Sequence, residues 1–94
     1  MSQKFDDVPV DKDTRILFRY PAKLGKYDIL YEMWSWEGIK AESIIFGTDD
    51  VSDLTDEEVE KEVRQSPLVK KESSVTIKRL VAGYTFVNFN FEQG

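Results

Sequence analysis

The stretch Gly83-Tyr84-Thr85-Phe86-Val87-Asn88-Phe89-Asn90-Phe91-Glu92 decides how this chain folds. Strand side chains alternate between faces, so Thr85, Val87, Phe89 and Phe91 are expected on one side. Tyr84, Phe86, Asn88 and Asn90 are then expected on the other. Rings begin on both sides and persist to the end on one. That pattern marks a central strand packed on both faces, with much buried area in few residues.

Moving back from it, Ala82-Gly83 reads as a tight turn out of a preceding strand at 75–81. This register sets Arg79 beside Phe86 and Ile77 beside Asn88 on one face, and Thr76 beside Phe89 on the other. Before that strand, 70–74 is a charged connection, and before it lies the clearest local signal in the chain. Thr55 and Glu58 form a capping box, with Leu54 and Val59 as the matching hydrophobic staple. Asp56 and Glu57 complement the positive end of a helix dipole, and Glu57–Lys61 and Glu60–Arg64 are in the favourable i,i+4 order. Pro67 stops the helix, which is predicted over 56–65. Its apolar stripe is thin, only Val59 and Val63, so it can cover part of one sheet face.

The first half of the chain supplies three more strands. One is predicted at 14–20, with Ile16, Phe18 and Tyr20 alternating against Arg15, Leu17 and Arg19, ended by Pro21 and a loop at 22–26. The segments 27–36 and 39–46 form a hairpin about Glu37-Gly38, a two-residue turn. Trp36 then faces Ile39, Trp34 faces Ala41 and Leu30 faces Ile45, with Ile29, Tyr31, Met33, Ile44 and Phe46 on the opposite side. Residues 1–13 are acidic and broken by Pro9, and read as a flexible N-terminal arm. The expected architecture is α+β: one domain over 14–94, about five antiparallel strands in the order β-β-β-α-β-β, and one short helix packed on part of one face. Short connections make neighbours in sequence the expected neighbours in the sheet.

The chain has 94 residues, no Cys and no His. Disulfides, thiolate chemistry, the Ser-His-Asp triad and imidazole metal sites are therefore excluded. Carboxylates remain as ligands for hard cations, but the calcium-loop pattern fails. From Asp49 the required glycine falls on Leu54, and from Asp50 the fifth ligand position falls on Leu54. The five glycines are scattered singly, so no phosphate cradle is present. Glu32 and Glu42 are the acids in the interior of the predicted hairpin, and they project to its opposite sides. A paired-carboxylate enzyme is therefore not expected, and neither is a cofactor or a metal. There is no apolar run of membrane-spanning length and no signal-peptide core, so a cytoplasmic protein without membrane contact is expected.

Charge is segregated along the chain. Residues 49–62 carry eight acids against Lys61, a net of −7, while 14–27 carry Arg15, Arg19, Lys23 and Lys26 with no acid. Two sheet faces carry more rings than a two-valine helix can cover. The surplus points to a non-catalytic protein-interaction module, with a protein partner or a second copy as its ligand. Trp34, Trp36, Arg79, Tyr84 and Phe86 are the candidate binding residues. Two alternatives use charge. The same rings, with Arg79, Arg15 and Arg19, make a basic-aromatic face for single-stranded nucleic acid. Conversely, Asp49, Asp50 and Asp53 form an acidic surface that imitates a phosphate backbone.

Overall fold

The structure, a computed structural model, describes residues 15–93. The arm expected at 1–13, and the expected strand start at Thr14, lie outside the described residues. The elements are β1 (Arg15–Leu24), β2 (Tyr27–Trp36), β3 (Ile39–Phe46), α1 (Asp56–Arg64), β4 (Thr76–Arg79) and β5 (Thr85–Gln93). All neighbouring strands are antiparallel, and the sheet order is β1-β2-β3-β5-β4. The α+β reading with its β-β-β-α-β-β order therefore holds.

Sequence neighbours are sheet neighbours except once. The chain leaves β3, crosses over β5 and enters β4, which runs in the same direction as β3. Such a connection has to span one face of the sheet, and α1 lies in it. The helix therefore lies over the β3–β5–β4 side, and of β1 only Ala22 and Leu24 reach the core on that face, while Phe18 and Tyr20 stay exposed. Val59 and Val63 join Val51, Val69, Ile29, Tyr31, Ile44, Phe46, Val87 and Phe89 in the main core, all buried. Thr55 caps α1 by accepting from the Glu58 backbone N–H, and the Glu58 carboxylate returns the bond to Thr55 N.

The β2–β3 hairpin has the expected register, with Trp36 opposite Ile39, Trp34 opposite Ala41 and Leu30 opposite Ile45. Glu37 and Gly38 both take positive φ, 48° and 81°, as a two-residue hairpin turn with the sheet's own twist requires.

Five expectations are corrected. β1 does not end at Pro21 but continues to Leu24, with Pro21 opposite Leu30. Proline is tolerated in an edge strand when its missing N–H lies on the solvent side, and β1 is an edge strand. The expected loop at 22–26 contracts to Gly25-Lys26. A bulge between Ile16 and Phe18 puts these two on opposite faces instead of one. In the last hairpin, Leu80 N donates to Tyr84 O and Gly83 N donates to Leu80 O. The loop is therefore Val81-Ala82-Gly83, one residue longer than predicted. The slip sets Arg79 opposite Thr85 and Ile77 opposite Val87, which moves every β4 side chain to the other face. The last correction is a bulge in β5 at Asn90, whose φ is 55°. It turns Phe91 away from Phe89 and onto the opposite face.

Candidate functional site

The sheet face away from α1 is organised in transverse rows. Arg19, Glu32, Ser43, Asn88 and Thr76 are consecutive register partners, one from each strand. This polar row divides two apolar groups. On one side Leu30 and Ile45 are buried under Tyr84, with Leu80 and Phe86 packed against them. On the other side lie Ile16, Trp34, Ala41 and Phe91, and beyond them Trp36 and Ile39.

The candidate ring residues therefore separate. Tyr84 is buried and Phe86 half-buried, so these two serve a small secondary core. Trp34 is half-buried and meets Phe91 edge-to-face, with centroids 6.4 Å apart and planes at 80°. Trp36 is 42% exposed and Phe91 44%. A second exposed group turns round the end of β1, where Leu17, Phe18 and Tyr20 are exposed and Phe18 and Tyr20 pack on Tyr31.

Arg79 does not join the rings. Its register places it on the helix side, where its guanidinium donates to Val51 O and Leu54 O, both at 2.8 Å, and meets Asp56. It ties the loop before α1 to β4. The basic segment is also less bare than its composition suggests. Arg19 pairs with Glu32 and Lys23 with Asp28, both across the β1–β2 register. Glu32 is buried, which pushes its carboxyl up from the ordinary range, against the pull of Arg19.

The acidic segment is similarly occupied. Asp56 meets Arg79, Glu58 closes the capping box, and Glu60 pairs with Arg64. The capping bonds hold the Glu58 carboxyl below its ordinary value. Asp49 has a φ of 61° and its N–H donates to Gly83 O, so it anchors the β4–β5 loop. A Cβ on Gly83 would meet Asp49 Oδ1 and Thr48 Cγ2, each at 2.9 Å, and Gly83 itself has a φ of 96°. Asp50 is half-buried and Asp53 exposed on the same loop.

On the helix side, Asn90 closes a polar cluster. Its Nδ2 donates to Glu42 and to Leu68 O, and its Oδ1 accepts from Lys70 N. The Tyr31 hydroxyl donates to Glu42 as well. Burial and this carboxylate raise the Tyr31 phenol above its ordinary value. A shallow concavity of about 470 Å³ lies on the outer face of α1, lined by Glu57, Glu60, Lys61, Arg64 and Gln65. Among the described residues no three carboxylates converge to hold a metal ion, and no helix is long and apolar enough to cross a membrane.

Phe91 is the ring of the open face that sequence reasoning missed, because alternation placed it with Phe89. The available signal was Asn90, a residue depleted in strands and tolerant of left-handed backbone, set between two phenylalanines. No family model, no curated protein and no solved structure matches this chain.

Proposed function

We propose that this chain is a non-catalytic protein-interaction module that docks a protein partner on the open sheet face, through Trp36, Phe91 and Trp34. One observation carries the reading: two large rings stand more than two-fifths exposed beside a third, on the face that α1 leaves uncovered. Tryptophan and aromatic anchors of this kind dominate the energetics of protein interfaces. Isolated apolar residues on a surface carry no such meaning, but a contiguous ring group does.

The face suits docking better than the sheet edge does. β1 is a ten-residue edge strand, but its bulge and Pro21 interrupt the row of groups that another strand would need. Its long side chains Arg19 and Lys23 are held on the open face by Glu32 and Asp28. A partner is thus directed to the rings of the open face and away from edge pairing.

The test places a photo-crosslinking residue at position 36, at position 91, or at Lys61 on the outer face of α1. A common protein species captured from positions 36 and 91 but not from 61 supports docking on the open face. Capture at 61 alone, or at none of the three from a chain that light scattering shows to be a monomer, overturns it.

A further inference from the structure

Resting on the docking reading above, we infer that Ser43 and Asn88 are positioning residues that hold the Trp34 indole as the preformed anchor of the open face. An indole Nε1–H can only donate, and here it donates to Ser43 Oγ. The Ser43 hydroxyl must then spend its own hydrogen elsewhere, and it donates to Asn88 Oδ1 at 2.7 Å. The indole can only donate, so Ser43 Oγ must accept, and the hydroxyl passes the chain on to the Asn88 amide oxygen.

The three residues come from three adjacent strands, so the sheet itself sets their spacing. Trp34 is opposite Ala41, Ser43 is opposite Asn88, and Ser43 lies two residues along from Ala41 on the same face. The small Ala41 leaves room for the ring to lie across β3 and reach the next row. Phe91 closes the ring's flank edge-to-face. Ser43 is 1% exposed, so water cannot take over its role. A ring held before binding surrenders little rotamer freedom when a partner arrives, which is how preorganised anchors raise affinity. Trp36, more exposed, supplies contact area in this arrangement, while Trp34 supplies the fixed point.

The test uses the free, full-length chain in a Trp36→Phe background, which leaves Trp34 as the single tryptophan. NMR then reads the exchange of one indole N–H and the order of one ring. Ser43→Ala is expected to speed indole exchange about tenfold and to lower ring order, the effect of one lost hydrogen bond. Asn88→Ala, which leaves the acceptor but frees the hydroxyl to turn, is expected to speed it about threefold on the same scale. Ser43→Thr, which keeps the hydroxyl, is expected to restore the wild-type signal. Unchanged exchange and ring order in a folded Ser43→Ala protein overturn the inference. If Ser43→Ala fails to fold, Asn88→Ala decides, and an unchanged indole there overturns it equally. A locked indole with no crosslinks at 36 and 91 would remove the docking reading and leave the positioning role standing.

Discussion

Phe89 and Phe91 are the same residue type, two positions apart in one strand, and they live in different environments. Phe89 is fully buried under α1 beside Val59 and Val63, while Phe91 is 44% exposed beside Trp34. Simple alternation would place both on one face. The bulge at Asn90 separates them, and the separation divides the molecule's tasks. The helix-covered face holds the fold together. The open face keeps a ring group outside it.

The largest expected effect breaks this pair apart energetically. Phe89→Ala removes a fully buried ring and is expected to cost about 3–5 kcal/mol in urea unfolding. Phe91→Ala is expected to cost about 1 kcal/mol or less, because most of what it loses is a half-exposed contact. Equal losses at the two positions would mean that the open face is as much a core as the covered one.

Next in size is the residue that makes the difference. Asn90 combines a left-handed backbone with three side-chain hydrogen bonds and a backbone N–H that donates to Ser73 Oγ. Asn90→Ala is expected to cost about 2–3 kcal/mol, from backbone strain and unsatisfied buried partners together. Asn90→Gly relieves the strain and keeps the loss of side-chain bonds, so it is expected to be about 1 kcal/mol milder. The gap between the two variants measures what the bulge itself stores. No gap would mean that the conformation at position 90 is unstrained.

These residues also show where reading the chain succeeded and where it stopped. The β2–β3 register was legible because Glu37-Gly38 sets a two-residue turn and every pairing follows from it by counting. The helix was legible because Thr55 and Glu58 state its start in local chemistry. Counting fails wherever one residue is inserted. The bulges beside Leu17 and at Asn90, and the third loop residue before Tyr84, each shift alternation by one and exchange faces. Phe91 moved to the open face for this reason, and Arg79 left it. Trp34 and Trp36 stayed where counting put them, since no bulge lies between them and their turn. The charge segments misled for another reason. Composition cannot show that Lys23 meets Asp28 or that Asp56 meets Arg79, because those pairs are made by register and tertiary approach.

A smaller effect tests the lid of the covered face. Thr55→Ala removes the capping bond to Glu58 N at an exposed helix start, and is expected to cost about 1 kcal/mol. The loss should appear in hydrogen exchange of α1 and of the core under Val59 before it reaches the open face. If Trp34 and the α1 amides respond together, the two faces are one cooperative unit and differ only in geometry.

The subtlest test concerns the buried carboxylate of the open face. Burial raises Glu32 above the ordinary glutamate value of 4.5, and the Arg19 pair only partly opposes it. A folded-state value above the unfolded one means that the folded chain binds this proton more tightly. The stability it contributes is therefore complete below pH 4.5 and is lost as pH rises through the raised value. Glu58 and Glu92 are shifted the other way, so their contributions hold above pH 4.5 and fade as pH falls through their lowered values. The two sets act on opposite sides of the same boundary and can be separated. Glu32→Gln removes one titration and leaves the others, so the stability of wild type relative to the variant should fall as pH rises from 4.5 toward neutrality. Denaturant titrations of both proteins across that interval read the difference. A difference that stays flat would mean that water reaches Glu32 freely, where the structure has its side chain buried.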